Sequence, residues 1–441
     1  VNPKLTSSVK FFAGGFEAKY GDKLSSVLDV KYKELKKNKR SFSASLMGTN
    51  FVVEGNTKNY RLSYIIGHRY KTNQFLIKSL DLNANYVPKI HDFQSFITYQ
   101  INPELQLNFL GYHSNNKYEM TPESRETQFG TATESLQLNV YFDGQEIDKF
   151  KTTLGALSLN FKPSEKAKIK LTTSIFRTKE ELFYDVQGQY SLGQLENNIG
   201  SDEYGDIVIN RGVGSYRNHA RNEIFADVFN SYIDSEMNVN NHTINWGIKY
   251  QYEKIEDRIR EWESVDSAGY SVSYISTDAL ELYDFTKGNS KLSSNRVKNY
   301  IQVKSKNYSL SNNAKINYTG GIRTNYWDFN NEFFISPRLI IGYKPDWKKD
   351  FVFSASVGSY NQSPFFREIR DKFGNINENI KSQKSIHYVL SSDYQFEMWN
   401  RPFKFNSAIY YKYLWDLIPY EINNLQIHYL TNDIATGYAV G

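Results

Sequence analysis

Seven histidines, at positions 68, 91, 113, 219, 242, 387 and 428, are the first residues to test for chemistry. An imidazole can act as a base, a proton shuttle or a metal ligand. None of the seven falls into an H-E-x-x-H pattern or another ligand spacing. Cysteine is absent, which excludes disulfides, thiolate metal sites and cysteine nucleophiles. The sequence therefore predicts no metal and no cofactor. Two acid pairs, Glu180-Glu181 and Asp202-Glu203, could supply the two carboxylates of a glycosidase. Both lie in glycine- and acid-rich segments read as loop, where a solvated face is the simpler reading. Gly212-Val213-Gly214 starts a dinucleotide-type pattern but lacks its third glycine, and no phosphate-binding G-x-x-x-x-G-K-(S/T) occurs. Catalysis has no constellation to stand on, and the chain is read as not an enzyme.

Binding has better candidates. Tyr184, Asp185, Tyr190, Arg211, Arg217, Arg260, Trp262 and Tyr270 place flat aromatic faces beside charges in the two longest predicted loops, 180–218 and 257–294. Loops on a rigid scaffold commonly do the recognising. The same residues could instead pack the loops on one another, and both readings stay open. Basic residues number 53 and acidic 48, for a net charge of +5, and the two signs are intermixed. No basic block with interleaved aromatics marks a nucleic-acid surface, so no nucleic acid is expected as partner.

The scaffold under those loops is read from alternation. The chain has 441 residues with 34 Tyr and 29 Phe, yet its mean hydropathy is −0.59 because Asn, Ser, Lys and Gln are also plentiful. Aromatic and polar residues in alternation suit a wall with one face in lipid and the other in water. Ile244, Trp246, Ile248, Tyr250 and Tyr252 alternate with polar neighbours and give the cleanest period-2 segment. Similar strands are predicted from Ser41 onward. Short polar turns recur near 56, 103, 164, 240, 312, 346 and 401. Longer connections are expected at 71–91, 114–148, 180–218, 257–294, 362–383 and 416–431. Short turns at one end and long loops at the other is the asymmetry of an outer-membrane barrel. Closure leaves no backbone polar group unpaired in lipid. No apolar run reaches the eighteen residues of a helical span, whereas a spanning strand needs only about 9–11. The fold class is all-β, a transmembrane antiparallel barrel with about 15–16 strands in this chain. A porin, a barrel enzyme with a Ser/His pair at its rim, and a soluble sandwich or propeller are weaker alternatives. The unequal loops argue against the last.

One stretch near the N terminus sharpens the reading. Gly14-Gly15-Phe16-Glu17-Ala18-Lys19-Tyr20-Gly21-Asp22-Lys23-Leu24-Ser25-Ser26-Val27-Leu28-Asp29 is a glycine-rich turn feeding a strand. It resembles the last plug segment of TonB-dependent outer-membrane receptors. Gly14, Gly15, Tyr20, Gly21, Leu24 and Ser25 carry the plug-to-barrel motif; Lys23 stands where arginine is common and Asp22 where glycine is common. Asn331 to Arg338 looks like the N-x-F-x-x-S-P-R segment of these receptors, and Tyr360-Asn361-Gln362-Ser363-Pro364-Phe365 is similar to their Y-x-Q-x-P-x-(F/Y) motif. The resemblance implies two units: residues 1–40 as the C-terminal end of a plug domain, and 41–441 as part of a barrel. It implies 22 strands in all, so about six would follow Gly441. Residue 1 is Val and no signal peptide is seen, and the chain reads as a piece of a longer protein. The function implied is active uptake of an external solute (siderophore, vitamin, oligosaccharide or peptide). Implied partners are outer-membrane lipid and a TonB-type energy-transducing complex that acts through a segment absent from this sequence. The chain lacks the N-G-V-I-x-I-T-T-K ending of receptors that pair with a lid lipoprotein, which leaves a surface lipoprotein or larger assembly an open partner. A structural barrel subunit of a cell-surface or secretion assembly is the alternative function.

Overall fold

The computed structural model describes residues 2–33, 38–77, 84–131, 133–266, 282–310, 313–371, 373–423 and 426–441. Near the N terminus, β1 (Thr6–Phe12) and β2 (Val27–Tyr32) form a two-stranded antiparallel sheet. The wall begins with β3 (Lys39–Ser45), β4 (Gly48–Asn56), β5 (Leu62–Thr72), β6 (Ala84–Gln100), β7 (Leu105–Pro122), β8 (Arg125–Gly130) and β9 (Ser135–Ser164). It continues through β10 (Ala167–Leu195), β11 (Ile207–Val239), β12 (His242–Asp266), β13 (Asp284–Ser305), β14 (Tyr308–Ser309) and β15 (Lys315–Trp327). The last part holds β16 (Glu332–Lys344), β17 (Asp350–Gln362), β18 (Gln383–Met398), β19 (Arg401–Leu417), the separate hairpin β20 (Tyr420–Asn423) and β21 (Gln426–Tyr429), and β22 (Ala435–Val440).

Each strand pairs antiparallel with its neighbour, and the ring closes with β22 beside β3. β8 and β14 are short side strands, because β7 pairs directly with β9 and β13 with β15. Among the described residues sixteen strands therefore make the circuit, the number expected for this chain. No described helix is long and apolar enough to cross a membrane.

Alternation explains the wall, and its sense is the reverse of a soluble core. On β13, Ile301 is 54% exposed while its neighbour Gln302 is 1% exposed. On β16, Ile335 and Leu339 face out while Ser336 and Arg338 are buried inside. Apolar residues outside and polar residues inside suit a wall with lipid around it. Two small apolar clusters lie inside. Leu5, Val52 and Ile65 form one, backed by Tyr32 and Phe96. Ile224, Ile255, Leu292, Trp327, Ile369 and Ile380 form the other, toward the long-connection end.

Turn chemistry sets the register at the short-turn end. Asn240 closes the β11–β12 hairpin at φ 51°, and Trp399 and Asn400 close β18–β19 with both φ values at 55°. Two-residue hairpins favour positive φ because that twist matches the flanking strands. Pro337 marks a change in the ladder: the β16–β17 register runs from Arg338 to Tyr343, below the proline. Proline has no N–H to give to a ladder.

Three predicted loops are corrected. Segments 114–148, 180–218 and 257–294 are largely strand: β9, β10, β11 and β12 run 30, 29, 33 and 25 residues. The first two connections shrink to 123–134 and 196–206, and in the third segment β12 runs to Asp266 and β13 begins at Asp284. A membrane needs only about 9–11 residues per strand, so these four strands continue well beyond it. There the outer face meets water rather than lipid, and the apolar alternation that marks a strand fades. Polar residues still pair through their backbones, and Asp185↔His219↔Trp262 lie side by side on three strands.

Candidate functional site

Residues 13–25 join β1 to β2 without regular structure, so their carbonyls need donors from elsewhere. The inward face of the wall supplies them. Lys412 on β19 donates from Nζ to the carbonyls of Ala13 (2.7 Å) and Ser25 (3.1 Å). Arg338 on β16 donates from Nη1 to Glu17 O (2.7 Å) and Tyr20 O (2.6 Å). Arg323 on β15 reaches the carbonyls of Ala18 and Lys19, each at 3.4 Å. Gln302 on β13 accepts from Lys19 N at 3.2 Å and donates to Glu17 Oε2 at 3.0 Å. Lys298 on β13 pairs with Asp22 at 2.7 Å. All five wall residues are buried.

Packing adds to the bonds. Phe16 is fully buried between the wall's Tyr360 (ring centroids 4.4 Å apart) and His387 (6.3 Å). Tyr360 stacks on His387, and the Arg338 guanidinium lies over both the Phe16 and the Tyr360 rings. Burying one Phe contributes about 1.5–3 kcal/mol. Within the segment, Tyr20 donates to Asp29 Oδ2 at 2.8 Å and tilts against Phe12, which ties the turn to its own two strands.

Two glycines are required here. Gly15 has φ +60°, and a Cβ there would sit 2.1 Å from Ser356 Oγ. A Cβ on Gly21 would sit 2.0 Å from Arg323 Nε. A Cβ on Gly14 would find ordinary contact with Lys412 and Val389 at 3.4 Å. Leu24 is half-buried.

The electrostatics follow from the wall's cations. Burial works to raise the Asp22 carboxyl, but Lys298 and Arg323 hold it down at about 2. Glu17 is also lowered: burial opposes this, and the Gln302 amide and Lys19 outweigh it. Burial, then the Asp29 carboxylate, pushes the Tyr20 phenol up.

The other end of the segment is anchored across the lumen. Asn2 exchanges side-chain hydrogen bonds with Asn50 (3.0 and 3.2 Å), and Gln94 accepts from its backbone N–H at 3.2 Å. The N-terminal segment thus bridges β4–β6 on one side and β13–β19 on the other.

The residues singled out in the predicted loops fall into two groups. Tyr184 is buried and shares the face of Glu180 and Leu182, which line a luminal cavity. By strand alternation Asp185, Arg217, Arg260 and Trp262 lie on the opposite face. There Asp185 bonds His219 and Arg221, each at 2.5 Å, and Trp262 stacks on His219 at 5.0 Å. Arg217 donates to Gln187 at 2.7 Å, and the Arg260 backbone N–H to Asn222 Oδ1 at 3.1 Å. Arg211 sits at a break in the β10–β11 register and bonds Gln194 and Glu134. Tyr190 lines a shallow pocket beside Gly214, and Tyr270 lies outside the described residues.

The sequence analysis missed Lys298, Gln302, Arg323 and Lys412 as site residues. A signal was present: each is a polar or charged residue inside a strand that alternates with apolar neighbours, and charge at membrane depth marks function. Arg338 and Tyr360 fall within the two barrel motifs quoted above, without a role having been assigned to them.

No family model matches the chain, and no curated protein matches it. Solved structures do. The chain is similar to the ferripyoverdine receptor of the outer membrane of Pseudomonas aeruginosa (TM-score 0.58, 9% identity), covering 99% of this chain and 57% of that one. It is similar to the ferric enterobactin receptor PfeA of the same organism (TM-score 0.56, 10% identity), covering 96% and 59%. It is similar to the copper transporter OprC (TM-score 0.57, 9% identity), covering 97% and 62%. The chain spans less than two thirds of the length of each. What it shares with them is the fold of TonB-dependent outer-membrane receptors.

Proposed function

We propose that the chain is the greater part of an outer-membrane receptor that takes up an external solute actively, with a TonB-type complex supplying the work. Residues 1–40 are then the end of a plug domain and 41–441 the barrel, embedded in outer-membrane lipid. One observation carries the reading: residues 13–25 are seated in the lumen mainly by buried cations bound to backbone carbonyls. Hydrogen bonds to charged groups contribute about 1.5–3 kcal/mol each. Bonds of that kind hold a segment firmly at rest. They can be broken one at a time under load, since each freed cation and carbonyl finds water in a polar lumen. The wall is the static part and the seated segment the element with two positions. The fold shared with a ferripyoverdine receptor and a copper transporter supports the reading.

The test uses the cysteine-free background. A Cβ on Gly14 falls 3.4 Å from Val389 Cγ2 on the inward face of β18, so Gly14→Cys with Val389→Cys places two thiols within bonding reach. Metabolite profiling of cells with and without the protein, each with and without the energy-transducing complex, identifies any solute that needs both. Oxidation of the double variant is expected to abolish its accumulation, and reduction to restore it. Undiminished uptake by the oxidised protein, or no solute that needs both components, would overturn the proposal.

A further inference from the structure

Beyond the seat, toward the long-connection end, lies a cavity of about 250 Å3 with a different chemistry. Four carboxylates line it: Glu146 on β9, Glu180 on β10, and Asp257 and Glu261 on β12. Two guanidiniums answer them, both from the connection after β17. Arg367 pairs with Glu180 at 2.9 Å, and Arg370 with Asp257 Oδ2 at 2.8 Å. Glu261 accepts from the Asn222 amide. The other Asp257 oxygen, Oδ1, has no partner among the described residues, and Asp257 is only 1% exposed. A buried carboxylate oxygen without a donor is costly, and it leaves uncompensated negative charge at the wall of the cavity.

Charge and size narrow the donor. Burial raises the carboxyls of both Glu146 and Asp257, in the latter against the pull of Arg370, so an incoming cation would relieve both. Among the described residues no group of three or more His, Asp or Glu could hold a metal ion, which favours an organic cation. The volume is below the about 300–1,000 Å3 of pockets for drug-sized ligands, so it takes one group of a larger solute. Asn222, His428, Leu182, Ile224, Ile427 and Tyr429 complete the lining, and the last four offer an apolar path for the stem behind a charged head.

We propose that this cavity binds the ammonium or guanidinium end of a basic organic solute on an aliphatic stem, with Glu146 as its acceptor and the buried Asp257 charge behind it. The solute class deepens the transport reading and rests on it for passage; the binding itself stands apart. The experiment uses the whole purified protein in detergent and a fluorescein-labelled pentapeptide, Ala-Ala-Arg-Ala-Ala, against its citrulline counterpart. The arginine peptide is expected to bind at least tenfold tighter. Asp257→Asn and Glu146→Gln should each cut that preference at least fivefold, while Asp227→Asn, in the exposed pair with Arg177, leaves it intact. Asp257→Asn also leaves Arg370 unpaired, so Glu146→Gln keeps the test decisive if that variant does not fold. Equal affinity for the two peptides, or an undiminished preference in Glu146→Gln, overturns the proposal. If the preference holds but peptide uptake ignores the energy-transducing complex, the site stands and the transport reading falls.

Discussion

Gly21 and Asp22 are adjacent, yet they serve the seat by opposite means: one by leaving space, the other by filling it with charge. A methyl on Gly21 would have to displace the Arg323 guanidinium, which is itself buried against the Ala18 and Lys19 carbonyls. Overpacking of that kind costs about 1–3 kcal/mol. Gly21→Ala should therefore loosen the segment and speed tryptic cleavage after Lys19 and Lys23 by about tenfold. Cleavage at the parental rate would show that Arg323 has room to move. Asp22 adds a pH dependence. Its carboxyl is held at about 2 in the seat against 3.8 when free, so its contribution is complete above about pH 4 and is lost as the pH falls toward 2. Amide exchange over residues 13–25, corrected for its intrinsic pH dependence, should rise between pH 5 and pH 2.5. Asp22→Asn should flatten that rise, and it should raise exchange at pH 5, because Lys298, 3% exposed, loses its counter-charge. Breaking such a pair costs about 3–5 kcal/mol when fully buried, and less here since Asp22 keeps some solvent contact. A rise that survives in Asp22→Asn would assign the effect to another group.

At the scale of elements, the decisive feature is how far β9 to β12 climb past the membrane. Amides of 180–191 and 213–224 should exchange as slowly as those of 168–178 in the same strands; exchange within seconds would return these segments to loops. The reason they read as loops is physical. Period-2 patterning reports a boundary between two solvents, not a strand as such. β12 is plain from Ile244 to Tyr252, where one face meets lipid. It blurs at Glu253-Lys254-Ile255-Glu256-Asp257, where the outer face meets water. Short turns were legible because asparagine and proline act locally, as at Asn240 and Pro345. The glycine-rich turn was legible too, but the need for Gly15 and Gly21 lies in Ser356 and Arg323, more than 300 residues away. Likewise Lys298, Arg323, Arg338 and Lys412 stand out as charges in strands. That they converge on one short segment depends on a closed ring, which no window of sequence contains.

At the scale of the whole molecule, the ring is a wall turned inside out, and that orientation makes a sharp prediction. The outward face carries its apolar residues in the open, and aromatics gather at the short-turn end. Phe351 stacks on Tyr394 at 4.2 Å, Phe396 on Phe403 at 5.6 Å, and Trp347 and Trp399 project beside them. Such a cluster fits the aromatic girdle at one lipid interface. Leu390 and Ser391 test the two faces at a single depth. Leu390 points outward and is 63% exposed, whereas Ser391 has the inward parity of Ser385 and His387. A lysine toward the lipid costs up to about 2–4 kcal/mol near the membrane midplane, while lumen positions tolerate charge. Leu390→Lys should thus lower the urea midpoint for folding into phospholipid vesicles and weaken the heat-modifiable band on gels, and Ser391→Lys should leave both near the parental value. In a barrel surrounded by water the order would reverse, because Leu390→Lys would add charge to an already solvated surface and Ser391→Lys would crowd the interior. Since the two positions share one strand, one backbone environment and one depth, a difference between them isolates the solvent each face meets.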